Sequence, residues 1–150
     1  MKSLVEFTDI KYLKILESKN KIDAIEELAS VFHDSNTCSD ADELIKALKE
    51  REEIMSTGIG LGLAIPHAKI KAIKRLTFAI GISKGGIDFD SIDGEPVHLI
   101  ILVAAAERQH KEYLRLLSNI MSLLKNEQIR KKIIESNSNE DIIKILDMKK

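Results

Sequence analysis

The chain has 150 residues, of which 44% are hydrophobic and 31% are charged, proportions typical of one globular domain rather than of a disordered chain. Its formal net charge of -1 provides no general attraction to nucleic acid or to an anionic membrane surface. The single cysteine, Cys38, excludes an internal disulfide and a Cys-x-x-Cys metal site. The chain lacks a signal-peptide core and any apolar run long enough for a membrane span. We therefore expect a single domain over residues 1–150, located in the cytoplasm.

The first third of the chain predicts two helices. Asn20 can cap the first helix, whose apolar residues recur every three or four positions. The preceding segment, residues 12–16, fits either a short strand or a helix. A second helix is expected after Ser39, which forms a near capping box with Asp42, and it should end before Gly58.

The rest of the chain predicts strands followed by helices. Residues 76–82 alternate between large and small side chains, as in a strand, and residues 97–103 are apolar apart from His98, as in a strand buried on both faces. From about Arg108 a long helix is expected, with Tyr113 and Leu114 in its apolar stripe. The chain then ends in two helical segments and a frayed terminus: residues 127–135, residues 140–146 and Lys149–Lys150. This order favours an α/β fold with a mixed sheet covered by helices.

A glycine-rich segment leads into His67 and carries the strongest functional signal. Gly58, Gly60 and Gly62 allow backbone amides to approach a ligand closely, which is a common way to hold a phosphate. The segment is neither a dinucleotide fingerprint nor a P-loop, and a tight structural crossover remains the alternative. His67 follows the rigid Pro66, and its imidazole can act as a nucleophile at neutral pH.

Several cations can complete a phosphate site around His67. Four of them follow it with no acidic residue between: Lys69, Lys71, Lys74 and Arg75. By themselves these four are more typical of a solvated face. Arg51 can grip a phosphate with two hydrogen bonds, or it can be an ordinary surface residue of the second helix. His110, at the start of the long helix, can face the site or pack on the core.

Other candidate residues carry less chemistry. His33 and His98 are interpreted as structural, and Cys38 as incidental. The histidine spacing fits no metal motif, so no metal site is expected. Three apolar side chains near His67 form a patch for a protein partner if they are exposed, and part of the core if they are buried: Ile59, Leu61 and Leu63.

The pair Arg51-Glu52 and the motif from Thr57 to His67, Thr-Gly-Ile-Gly-Leu-Gly-Leu-Ala-Ile-Pro-His, resemble the signature of a known family. It is the enzyme IIA domain of the fructose/mannitol type, from the bacterial phosphoenolpyruvate-dependent sugar phosphotransferase system. Residues 84–97 and 110–117 resemble further parts of the same family, so the resemblance spans nearly the whole chain. It implies a mixed central sheet with helices on both faces.

The resemblance also implies a mechanism. His67 would take a phosphoryl group from the phosphocarrier HPr and pass it to a cysteine of an enzyme IIB domain. Arg51 and His110 match the arginine and the second histidine that family members keep near the active histidine, and Thr57 matches the threonine of the motif. The glycines would contribute amides to the phosphate. This chemistry needs no metal or cofactor.

Three functions remain open at this point. The first is a phosphoryl carrier for sugar uptake, and the second is the nitrogen-related regulatory branch of the family, which acts by phosphorylation-dependent protein binding. The third is a non-catalytic module that binds a small anion with the glycine loop. Retention of the fold without covalent phosphate would favour the third.

Overall fold

The computed structural model describes residues 3–147, and within them six strands form one mixed sheet. The strands are β1 (Leu13–Ile15), β2 (Gly58–Gly60), β3 (Leu63–Ala64), β4 (His67–Lys69), β5 (Thr77–Ile87) and β6 (Val97–Ala105). The helices are α1 (Lys21–Ala29), α2 (Ala41–Ile54), α3 (His110–Leu124), α4 (Glu127–Glu135) and α5 (Asn139–Leu146). Short 3-10 turns occupy Leu4–Phe7, Ile10–Tyr12 and Ser30–Phe32.

The sheet is built around the antiparallel pair of β5 and β6. β1 runs parallel to β5 on one side, while β3 and then β4 run parallel to β6 on the other, and β2 closes a hairpin with β3. Leu63 pairs with Leu99, and His67 pairs with Val103, so β3 and β4 follow the same flank of β6 in the same direction. His67 therefore lies toward the carboxyl end of β6.

Alternating side chains of the two central strands face two separate cores. Phe78 and Ile80 pack with α3, α4 and α5 on one face, whereas Ala79 and Leu102 pack with α1 and α2 on the other. Because both faces of β5 and β6 are buried, these strands are apolar almost throughout. The predicted α/β fold, with a mixed central sheet and helices on both faces, is confirmed.

The predicted helix starts are confirmed for α1 and α4, and the starts of α2, α3 and α5 differ from the prediction by one or two residues. The Asn20 side chain caps α1 by accepting from a backbone N–H at 2.9 Å. α2 is capped by Asp40 rather than by Ser39, because Ser39 donates through its backbone and hydroxyl to the Ala72 carbonyl. α3 begins at His110, two residues later than expected.

Within residues 12–16, which were expected to form a short strand or a helix, Tyr12 ends a 3-10 turn and Leu13–Ile15 form β1. The predicted frayed end at Lys149–Lys150 lies outside the described residues. Among the helices of residues 3–147, none has the length and apolar character that a membrane span requires.

Candidate functional site

His67 lies half-buried on β4, with one ring nitrogen already engaged. Its Nδ1 is 2.8 Å from the backbone carbonyl oxygen of Ile65. A carbonyl can only accept, so Nδ1 carries the proton and donates, and in the neutral ring Nε2 keeps its lone pair. The intervening Pro66 accepts from the Val103 backbone N–H at 2.9 Å, which fixes this segment against β6. The bond to Ile65 therefore orients the imidazole through Nδ1 and does not use Nε2.

The first turn of α3 packs beside this imidazole. The buried ring of Tyr113 lies 6.0 Å from the His67 ring and 6.3 Å from the His110 ring, between centroids. Burial raises the pKa of the Tyr113 phenol, and the positive charge of Arg51 opposes that rise. Tyr113 therefore links the rings of His67 and His110 at the start of α3, and Arg51 at the end of α2 is close enough to act on its phenol electrostatically.

Lys69 is a member of this cluster. Its Nζ is 2.7 Å from Nδ1 of His110 and 5.4 Å from the centroid of the Tyr113 ring. His67 and Lys69 are two residues apart on one strand and so share a face, a signal that the sequence already contained. Lys74 of the predicted basic run lies beside the segment before α2, because its backbone N–H donates to the Thr37 carbonyl.

Arg51 sits in the last turn of α2 and donates from Nη1 to the Met55 carbonyl at 2.8 Å. Its neighbour Glu52 is buried and accepts from the backbone N–H and the hydroxyl of Thr57, at 2.8 and 2.6 Å. Lys21 completes the network with its Nζ 3.3 Å from the Glu52 carboxylate. The Thr57 hydroxyl thus anchors the segment after α2 instead of facing a phosphate.

The role of Glu52 was not predicted from the sequence. A signal existed, because Glu52 continues the four-residue spacing of Leu44 and Leu48 along the apolar face of α2. Its burial beside Thr57 explains how the residues before the glycine segment are held.

The structure does not bring the tip of the glycine segment to His67. Gly60 and Gly62 have φ of +93° and +75° and form the turn between β2 and β3. β3 begins next to Leu99, and His67 is four positions further along β6, about 13 Å at strand spacing. At the turn, the Leu61 N–H donates to an Asp93 carboxylate, an environment unsuited to a phosphate. Gly60 and Gly62, which were expected to hold a phosphate, thus lie at a hairpin turn away from His67. Gly58, in β2, lies on the same hairpin.

The three apolar side chains of the motif divide between the two open alternatives, exposed patch and buried core. Leu63 belongs to the core, whereas Ile59 and Leu61 are exposed on the hairpin. Three other exposed apolar side chains are neighbours in sequence of residues in the cluster, since Ile54 and Met55 follow Arg51 and Leu114 follows Tyr113. Leu114 was expected in the buried stripe of α3 and is 50% exposed.

The remaining candidates lie elsewhere. His98 donates from Nδ1 to the Ser83 carbonyl at 2.9 Å, and the exposed His33 pairs with Asp42 at 3.2 Å. Cys38 is buried, and burial raises the pKa of its thiol. Within residues 3–147 no three His, Cys, Asp or Glu side chains are grouped so that they could hold a metal ion.

Comparison with known proteins identifies the family. Residues 6–149 match the family described as "Phosphoenolpyruvate-dependent sugar phosphotransferase system, EIIA 2". The chain belongs to this family, which confirms the resemblance carried by the Arg51-Glu52 pair and the motif ending at His67.

Relatives and solved structures agree with this. The chain is 40% identical over 131 residues to the fructose-specific EIIABC component of Bacillus subtilis (strain 168), covering 87% of this chain and 21% of that protein. It is 33% identical over 149 residues to the fructose-specific EIIA component of Haloferax volcanii, covering 95% and 97%. It is similar to the structure of nitrogen regulatory protein IIA-Ntr from Neisseria meningitidis, with a TM-score of 0.86, 27% identity and coverage of 94% and 97%. The chain thus spans about a fifth of the length of the Bacillus protein and nearly all of the other two.

Proposed function

We propose that the chain is a phosphoryl carrier that accepts a phosphoryl group on Nε2 of His67. The observation that carries the proposal is the hydrogen bond from Nδ1 to the Ile65 carbonyl, which leaves Nε2 with a lone pair. In the transfer, a bond forms between this nitrogen and phosphorus while the P–N bond of a donor phosphohistidine breaks. The electron pair of the broken bond returns to the donor nitrogen. His67 keeps its Nδ1 proton, so the step requires no proton transfer.

Hydrogen-bond donors beside His67 would stabilise the charge on the phosphoryl oxygens. During an in-line transfer this charge is spread over three equatorial oxygens, and preorganised donors lower the barrier. Arg51 and His110 are the donors that we propose for this role. The glycine amides at the hairpin turn have no part in this proposal.

The partners we propose are the phosphocarrier HPr as donor and a cysteine of an enzyme IIB domain as acceptor. HPr and the IIB domain would dock one after the other on the face of the molecule that carries His67. Exposed apolar side chains beside a polar centre suit a protein partner better than a free small anion. The role we favour is that of a cytoplasmic phosphoryl carrier for sugar uptake, because two relatives are described as fructose-specific components.

Regulation is the second candidate function. It is favoured by the similarity over nearly the full chain to a structure described as a nitrogen regulatory protein. The same His67 chemistry would then control binding to other proteins. Transfer of the phosphoryl group to a IIB cysteine supports uptake, whereas partner capture by only one phosphorylation state supports regulation.

Intact mass spectrometry tests the carrier role. The protein is incubated with enzyme I, HPr and phosphoenolpyruvate, as wild type, His67→Ala and the matched control His33→Ala, which changes an exposed histidine away from the site. We expect one acid-labile phosphoryl group on the wild type and on His33→Ala, and none on His67→Ala. Equal thermal unfolding of the three proteins excludes loss of fold.

Two outcomes would contradict the proposal. Phosphorylation of His67→Ala at the wild-type rate would move the acceptor to another residue. Absence of covalent phosphate on the wild type would leave the anion-binding module as the better description.

A further inference from the structure

We propose that Lys69 positions His110 for phosphoryl transfer by holding its imidazole in the tautomer with the proton on Nε2. The inference rests on the proposed function, since the role of His110 is to donate to the phosphoryl group. Its basis is the distance of 2.7 Å between the Lys69 Nζ and Nδ1 of His110. A charged ammonium group has three donors and no acceptor, so this bond requires an unprotonated Nδ1. A neutral imidazole with a bare Nδ1 carries its proton on Nε2.

Lys69 is held in place from two sides although its side chain is exposed. It is the last residue of β4, where it pairs in register with Ala105 of β6. Its ammonium group also lies 5.4 Å from the centroid of the Tyr113 ring, a cation–π contact. Tyr113 is 5% exposed and belongs to the core under α3. The strand and the helix therefore fix both ends of the Lys69–His110 bond.

The two imidazoles of the site then have opposite tautomers and opposite roles. His67 donates from Nδ1 to a carbonyl and presents a bare Nε2 as nucleophile. His110 accepts at Nδ1 from Lys69 and presents Nε2–H as a hydrogen-bond donor. A doubly protonated His110 has no lone pair for the ammonium group, so the Lys69 bond and the neutral donor form occur together. Neither tautomer depends on the phosphoryl group being present.

Nitrogen-15 NMR tests the positioning directly. Long-range proton–nitrogen spectra of the imidazoles are recorded for the wild type, Lys69→Met and Lys74→Met, with His110→Gln to assign the ring. In the wild type we expect a proton on Nε2 and a hydrogen-bonded, unprotonated Nδ1. In Lys69→Met the Nδ1 resonance should move to the position of a free acceptor, because methionine cannot donate. Lys74→Met removes the same charge elsewhere and should leave the resonance unchanged.

Transfer rates show whether the positioning matters for chemistry. We expect Lys69→Met to lower the single-turnover rate from phosphorylated HPr roughly tenfold, with Lys69→Arg recovering part of it and Lys74→Met equal to wild type. The loss should appear in the maximal rate rather than in the concentration of HPr needed for half saturation. In the His110→Gln background, Lys69→Met should have little further effect, because the two residues act as a unit.

Each contrary result would overturn one part of the proposal. A proton on Nδ1 of His110 in the wild type, or a resonance that Lys69→Met does not move, overturns the positioning. A moved resonance with an unchanged rate overturns the role of His110 as a donor. A tenfold loss that persists in the His110→Gln background assigns Lys69 an independent role. If the wild type accepts no phosphoryl group, the proposed function fails, and the spectra still decide whether Lys69 sets the tautomer.

Discussion

Arg51 connects the end of α2 to the functional cluster. Its Nη1 donates to the Met55 carbonyl. Burial raises the pKa of the Tyr113 phenol, and the charge of Arg51 is close enough to oppose part of that rise. One guanidinium nitrogen thus holds the backbone that leaves the helix. The remaining donors of the fork are suited to a phosphoryl group with two acceptor oxygens.

We predict that Arg51→Ala lowers the rate of phosphoryl transfer to His67 about a hundredfold, because it removes a preorganised charged donor from the transition state. Arg51→Lys should recover only part of the rate, since lysine is a point charge without the planar fork. Rapid-quench measurement with phosphorylated HPr gives these rates. Arg75→Ala serves as the matched control, because it changes an exposed arginine at the end of the predicted basic run. A transfer rate in Arg51→Ala equal to that of the control would remove Arg51 from the site.

At the scale of elements, two glutamates on helices accept hydrogen bonds from neighbouring loops and so hold those loops in place. Glu52 of α2 binds Thr57, and Glu27 of α1 accepts from two backbone N–H groups and a hydroxyl just after β1. For Glu27, burial alone would raise the carboxyl pKa, but the bonds from Ser18 and Glu17 and the contact with Lys14 outweigh it, and the pKa is lowered. The link between α1 and the end of β1 is therefore strongest when Glu27 is ionised.

This link makes a part of the stability dependent on pH. Because the folded-state pKa of Glu27 lies below the unfolded value, its contribution is present above about pH 4.5 and is lost as the pH falls through the folded value. We expect Glu27→Gln to lower the free energy of unfolding by about 1–2 kcal/mol at pH 7, and the difference from wild type to shrink toward pH 3.

Urea unfolding at several pH values provides the measurement, with Glu50→Gln as the control because Glu50 is exposed on α2. A difference between wild type and Glu27→Gln that stays constant from pH 7 to pH 3 would show that ionisation of Glu27 is not the source of its contribution.

At the scale of the whole molecule, the sequence predicted what depends on local pattern. The apolar run of residues 97–103 indicated a central strand, and the spacing of apolar residues indicated the helices. The placement of the glycine turn could not be predicted, since it depends on the pairing of Leu63 with Leu99 and of His67 with Val103, far apart in the chain. Pattern alone likewise could not show that Lys69 meets His110, because two separate elements must pack before the side chains are close. Residue type and position already made His67, Arg51 and His110 candidates, the family resemblance then assigned them to one site, and their chemical roles remain predictions.

The molecule has exposed apolar side chains at both ends of β6, and only one end carries the His67 cluster. Near the cluster, Leu114 is 50% and Met55 is 67% exposed, while Ile92 precedes the start of β6 and is 88% exposed. If HPr and enzyme IIB dock over His67, a charge at Leu114 should oppose desolvation of the interface, whereas the same charge at Ile92 should have no effect. We therefore expect Leu114→Glu to raise the HPr concentration needed for half-maximal phosphorylation at least tenfold, with no loss of thermal stability.

Ile92→Glu makes the same change at the opposite end of the strand and should behave as wild type, so the pair of variants separates docking from net charge. Titration of both with phosphorylated HPr, and of the phosphorylated variants with a IIB domain, measures donor and acceptor docking in turn. A common docking face requires Leu114→Glu to weaken both exchanges. Weakening of only one would mean that donor and acceptor use different surfaces, and an effect of Ile92→Glu equal to that of Leu114→Glu would place docking away from His67.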